Sequence, residues 1–158
     1  MTEIRTIEPN GAGARNLHVG VVVAGWNRTL TDRLLDGAIK RLEAFGVAKA
    51  TVLRVPGSLE LPVGSRRLAE AGCDAVVALG VIVKGDTDHY AIVSAESARG
   101  LTLVSLEMGI PVANGVLAVH DIADAVDRAQ PGAANKGDEA AAAAVEAALS
   151  LAGVGSTT

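Results

Sequence analysis

Asp74-Ala75-Val76-Val77-Ala78-Leu79-Gly80-Val81-Ile82-Val83-Lys84-Gly85-Asp86-Thr87-Asp88-His89-Tyr90 decides how the rest of this chain reads. The run from Asp74 to Leu79 has the unbroken apolar character of a strand covered on both faces. Gly80 reads as its end, and Val81-Ile82-Val83 as a short apolar link. Gly85 then lets backbone N–H groups approach an anion. Thr87 is placed to cap a following helix, whose N-terminus favours negative charge. His89 stands at the start of that helix, and a histidine can move protons near pH 7. A phosphate seat beside a proton shuttle points to chemistry on a small phosphorylated substrate.

Outward from this stretch, strands alternate with helices. Val19 to Ala24 is a second continuous apolar run. Leu30, Leu34, Leu35, Ala38, Ile39 and Leu42 follow at helical spacing, with Thr29 and Asp32 as a capping box and Gly46 as the stop. Thr51–Val55 reads as a strand. Pro62 suits the first turn of a helix running to Gly72. A helix from about Asp88 is expected to end at Gly100. Leu101–Leu106 then reads as a fourth strand and Val112–Val119 as a fifth, irregular around Asn114-Gly115. Asp121 caps a helix through Arg128, and a last helix covers about Gly137 to Leu151. The pattern predicts an α/β three-layer sandwich around a mostly parallel sheet of four to five strands, flavodoxin-like in arrangement. Residues 1–15, with Pro9, Gly11 and Gly13, read as a flexible arm, and 16–158 as a single domain.

Composition narrows the function classes. The chain has 158 residues, 49% hydrophobic, with a formal net charge of −4. That is apolar for one small domain, so some apolar surface is expected to meet other subunits. No basic stripe exists, which argues against nucleic acid. No apolar run approaches a membrane span and no signal-peptide core opens the chain, so no membrane association and a cytoplasmic location are expected. The only cysteine, Cys73, reads as a buried structural thiol, and His18, His89 and His120 lack metal-ligand spacing.

Ligands of parallel sheets sit at the carboxyl ends of the strands. Trp26, Pro56–Glu60, Val81–Thr87 and Asn114 are expected near those ends. Trp26 can stack on a flat heterocycle or plug a core or interface. Ser58-Leu59-Glu60 can be a ligand contact or a plain strand-to-helix turn. Arg128 is a guanidinium fork for phosphate or a surface helix residue, and Lys136 a point charge for the same anion or a solvated lysine. Spacing alone brings neither cation to His89.

Four ordered segments then point one way: Val55-Pro56-Gly57-Ser58-Leu59-Glu60-Leu61-Pro62, Gly85-Asp86-Thr87-Asp88-His89, Pro111-Val112-Ala113-Asn114-Gly115-Val116-Leu117, and Arg128-Ala129 with Asn135-Lys136-Gly137. Between about Val19 and Leu151 the chain resembles the lumazine synthases, the penultimate enzymes of riboflavin biosynthesis. The resemblance implies condensation of 5-amino-6-(D-ribitylamino)uracil with 3,4-dihydroxy-2-butanone 4-phosphate, a transferase reaction needing no cofactor and no metal. It makes His89 the catalytic residue. It puts the phosphate on Gly85, Asp86, Thr87, Arg128 and Lys136. It puts the pyrimidine on Trp26, Asn27, Ser58, Leu59, Glu60, Val81, Ile82, Val83 and Asn114. It also implies a homo-oligomer of pentamers, free or closed into a 60-mer shell, with riboflavin synthase as a conceivable partner and with Asn114, Arg128 and Lys136 supplied by a neighbouring subunit. The short link before Asn135 favours the shell, while Pro9 makes the arm a poor strand. Other readings are a catalytically weak, lumazine- or flavin-binding or shell-forming relative, and an unrelated flavodoxin-like regulator. Against the regulator, the first strand ends in Ala24-Gly25-Trp26 rather than in an acidic cluster.

Overall fold

Residues 1–156 are described by a computed structural model. Strands β1 (His18–Ala24), β2 (Lys49–Val55), β3 (Ala75–Val83) and β4 (Val112–Val119) form one parallel sheet in the order β2-β1-β3-β4. The helices are α1 (Arg28–Phe45), α2 (Leu61–Glu70), α3 (His89–Met108), α4 (Ile122–Arg128) and α5 (Lys136–Gly155). Alternation along β1 serves both faces: Val19, Val21 and Val23 join Leu34, Leu42 and Val145 in one core, whereas Val22 and Ala24 join Leu61, Leu68 and Leu101 in the other. A fully buried Val or Leu contributes on the order of 1.5–3 kcal/mol. The three-layer, flavodoxin-like arrangement read from the sequence is the one that forms. Among the described residues, no helix is long and apolar enough to cross a membrane.

Two glycines that read as terminators do not terminate. β3 runs through Gly80 to Val83, because Gly80 to Val83 pair with Val116 to Val119 of β4. Gly80 is glycine for space: a Cβ there would sit 2.8 Å from the Ser58 hydroxyl oxygen. α3 likewise runs through Gly100 to Met108, so Leu101–Leu106 is helix and the sheet has four strands. A Cβ on Gly100 would strike the Pro62 ring, so this glycine admits α2 against α3. The true stop is Gly109, at φ 67°. α1 begins at Arg28, and no side chain caps it at Asn27, so Thr29 and Asp32 do not form the expected capping box. Asp32 instead meets Arg54 of β2 at 2.8 Å.

Other signals hold. Asp121 accepts from the Ala123 N–H at 2.9 Å to open α4. Gly46 closes α1 at φ 77°. Cys73 is buried, and that burial pushes its thiol above its ordinary range. Residues 1–10 carry no regular structure, and the Arg5 guanidinium donates to the Gly153 and Ser156 carbonyls at 3.1 and 2.9 Å, at the end of α5. Gly11–Asn16 forms a 3-10 turn that buries Ala14 against the α1–α5 layer.

Candidate active site

Extending β3 to Val83 carries its last residues past the end of β1, and the two strand ends with α3 bound a depression. It has a volume of about 340 Å³ and is lined by Trp26, Asn27, Ser58, Val81, Ile82, Val83, His89 and Val93. A second lobe of about 210 Å³ shares Trp26, Ser58, His89 and Val93, and adds Gly57, Leu59 and Glu60. Most of the residues assigned to the pyrimidine therefore meet in one cleft, with His89 in both lobes.

The loop after β1 is bolted down. The Gly25 N–H reaches the Val55 and Pro56 carbonyls at 2.8 and 3.0 Å, and the Trp26 N–H reaches Pro56 at 3.2 Å. Asn27 takes the left-handed conformation at φ 57°, which asparagine tolerates better than most residues. Its side-chain amide donates to the Val81 carbonyl at 2.9 Å, tying this loop to β3. The Trp26 side chain is thus held at its root yet 75% exposed, which rules out a core plug within the chain. Gly57 makes room for the indole, since a Cβ there would lie 3.2 Å from Cδ1 of the ring.

The turn Ser58–Glu60 follows β2, with Ser58 buried and Leu59 exposed. One oxygen of the Glu60 carboxylate accepts the Gly57 N–H at 2.9 Å. An ionised carboxylate has capacity for further donors, so this bond orients Glu60 without consuming it. His89 is exposed at the first turn of α3, and its N–H donates to the Thr87 hydroxyl at 3.3 Å. The Thr87 hydroxyl thus satisfies one first-turn N–H, but the N-cap residue is Asp88, whose side chain makes no capping bond. Gly85, Asp86 and Thr87 form the exposed β3–α3 loop beside His89 but line neither lobe. A Cβ on Gly85 would meet nothing within 4 Å, so packing within the chain does not demand glycine there.

Arg128 and Lys136 lie elsewhere. They share a separate depression of about 550 Å³ with Val116–His120, Asp124, Ala134 and Glu139, and it has no lining residue in common with the Trp26–His89 cleft. Arg128 donates to the Asp124 carbonyl at 3.0 Å and stands 3.6 Å from its carboxylate, and Lys136 meets Glu139 at 2.8 Å. Both are exposed or half-buried pairs of little energetic weight. Asn114 joins neither group. It is the third residue of β4, level with Ala78 and towards the amino end of the strand, where its side chain accepts from the Val116 N–H at 2.9 Å. The expectation that it lies near a carboxyl end is corrected, because β4 begins at Val112 directly after Pro111.

Sequence reasoning passed over Val93 and His120. Val93 stands one helical turn beyond His89, a spacing that puts both on one face and could have revealed it. His120 lines the second depression, and Tyr90 packs edge-on to it with ring centroids 5.7 Å apart.

A parallel sheet with an exposed ring, a helix-start histidine and strand-end backbone around one cleft defines a flavodoxin-like α/β enzyme for small molecules. Residues 16–152 match the profile of the 6,7-dimethyl-8-ribityllumazine synthase family. Proteins named 6,7-dimethyl-8-ribityllumazine synthase are similar along nearly all of the chain. The protein from Kineococcus radiotolerans is 47% identical over 150 residues, 94% of this chain and 91% of its own. That from Leifsonia xyli is 49% identical over 137 residues, 85% and 86% respectively. That from Thermococcus gammatolerans is 45% identical over 145 residues, 91% and 93%. The chain belongs to the 6,7-dimethyl-8-ribityllumazine synthase family.

Proposed function

We propose that this protein condenses 5-amino-6-(D-ribitylamino)uracil with 3,4-dihydroxy-2-butanone 4-phosphate, giving 6,7-dimethyl-8-ribityllumazine, phosphate and water in riboflavin biosynthesis. The observation that carries the reading is the single cleft uniting Trp26, Ser58–Glu60, Val81–Val83 and His89. The indole stacks on the pyrimidine. Main-chain groups of Val81–Val83 and of Ser58-Leu59 address the edge of the ring, and Asn27 holds the rim. Glu60 accepts ribityl hydroxyls in charge-assisted bonds. The 5-amino group attacks the ketone carbonyl, and loss of water leaves an imine. Phosphate then departs, and the ribitylamino nitrogen closes the ring with loss of a second water. Each step moves a proton or expels an oxygen, and His89 is placed to exchange those protons. Holding both substrates together supplies much of the rate, since effective molarity is worth ~7–11 kcal/mol.

Gly85–Thr87 at the start of α3 receive the phosphate, with Arg128 and Lys136 as its cations. These cations line a depression separate from the His89 cleft, which supports a site completed by a neighbouring subunit, and the family resemblance adds Asn114 to that subunit's share. We read the assembly as pentamers, with the 60-subunit shell slightly favoured by the short α4–α5 link, and riboflavin synthase as a partner of such a shell. We place the protein in the cytoplasm and read residues 16–158 as its single domain behind an arm of residues 1–15. Mixing the protein with both substrates and following lumazine fluorescence tests the activity. Light scattering tests the assembly, since pentamer and shell differ about twelvefold in mass. A monomer at micromolar concentration would defeat the shared site.

A further inference from the structure

Arg128 ends α4 and Lys136 opens α5, and the seven residues between them include Pro131 and Gly132. A link of that composition does not by itself fix the spacing of two cations. One buried side chain spans it. Asn135 is 1% exposed, and its amide has a partner for every strong donor and acceptor position it presents. Its Oδ1 accepts from the Gly137 and Asp138 N–H groups at 2.8 and 3.2 Å, capping α5 at the two successive N–H groups after Lys136. Its Nδ2 donates to the Ala129 carbonyl at 3.2 Å, one residue beyond Arg128, and to the Arg33 carbonyl of α1 at 3.2 Å. Two N–H partners on one side and two carbonyls on the other leave only one orientation of the amide. The surrounding backbone is cleared for it. A Cβ on Gly37 of α1 would strike Oδ1 of Asn135, and a Cβ on Gly137 would strike the Leu34 carbonyl. One turn on, Arg41 of α1 clasps Asp138 at 2.9 Å.

We propose that Asn135 is the positioning residue of the phosphate site: its buried amide ties the end of α4 to the start of α5 and so sets Arg128 and Lys136 at the separation that receives one phosphate. This rests on the reading that both cations bind the phosphate of the four-carbon substrate. An N-cap needs only the oxygen, which serine and aspartate also supply. The Nδ2 bonds to Ala129 and Arg33 are what asparagine adds. Loss of those bonds alone frees the α4 end, and Arg128 with it, while leaving α5 capped and both cationic side chains intact.

The test compares Asn135→Ser, Asn135→Asp and Arg128→Ala in the full-length assembled protein. Each variant is assayed for the Michaelis constants of the two substrates and for inhibition by inorganic phosphate, with circular dichroism and light scattering to report fold and assembly. Asn135→Ser is expected to fold and assemble, to raise KM for the butanone phosphate and weaken phosphate inhibition by about tenfold, and to change KM for the pyrimidine by less than twofold. Asn135→Asp places a carboxylate oxygen against two carbonyls and should shift the same two quantities further. The double variant Arg128→Ala/Asn135→Ser should be little worse than Arg128→Ala alone, because the amide acts through that cation. Equal changes for both substrates, or a folded Asn135→Ser protein with an unaltered phosphate-substrate KM, would overturn the proposal. So would failure of both Asn135 variants to fold, which would assign the residue to the fold alone. An Arg128→Ala protein with an unchanged phosphate-substrate KM would instead sink the underlying phosphate reading.

Discussion

The cleft around His89 and the depression around Arg128 are built by different means. The first gathers the ends of β1 and β3, the turn after β2 and the start of α3, so the sheet itself brings its parts together. The loop glycine beside it, Gly85, has open space around it. The second gathers no strand ends except that of β4. Its cations sit on two helices linked through Asn135, with Gly37 leaving room for the Asn135 side chain and Gly137 letting the start of α5 approach the Leu34 carbonyl. An open loop at a strand end, such as that of Gly85, has room for an added methyl group. A site hung on a close helix contact does not tolerate an added methyl group.

The sharpest way to break this contrast is to add that methyl to each region. Gly137→Ala gains about 1 kcal/mol of helix propensity, but its Cβ meets the Leu34 carbonyl, and backbone cannot step aside as a side chain can. We expect a net loss of ~3 kcal/mol or more in urea unfolding, about a hundredfold or greater in the folding equilibrium. Gly85→Ala should stay within ~0.5 kcal/mol of the parent by the same measurement. Similar losses at both positions would erase the distinction.

Chemistry should divide along the same line. His89→Ala is expected to lower turnover by ~10²-fold while binding of a product-like ligand and the melting temperature hold, since proximity survives loss of the acid/base group. A variant turning over within a factor of two of the parent would remove His89 from its role. Arg128→Ala should act on KM for the butanone phosphate, by roughly tenfold, and leave that for the pyrimidine nearly unchanged. If both constants rose together, the two depressions would not serve separate substrates.

The smallest effect belongs to the ring. Trp26 is the only tryptophan, so binding of a ribityl-pyrimidine analogue should quench the protein's tryptophan emission. Trp26→Leu should weaken that ligand by about fivefold, in keeping with ~1 kcal/mol of stacking. Emission that stays constant at saturating ligand would show that the indole faces something else.

The four-motif pattern, the apolar runs of β1 and β3, and the caps at Gly46 and Asp121 are local signals, and each was legible from one segment of chain. Their order was enough to predict a parallel sheet with helices on both faces, and the topology then delivered Trp26, Ser58–Glu60 and Val81–Val83 to one cleft with His89. The separation of Arg128 from that cleft was anticipated only through family resemblance, since the spacing of residues along two helices does not specify how those helices dock.

The sequence by itself determined where the chain is apolar, where helices can start and which family it resembles. Only the tertiary structure decided what its glycines are for. Gly80 and Gly100 look like breakers, yet both lie inside regular elements, where Ser58 and Pro62 crowd the space a Cβ would take. Gly137 is similarly required by the Leu34 carbonyl. A glycine relaxes the backbone and also removes a side chain. The first effect is read from neighbours in sequence. The second depends on neighbours in space, which is why the length of α3, the end of β3 and the placement of Arg128 and Lys136 were set by packing.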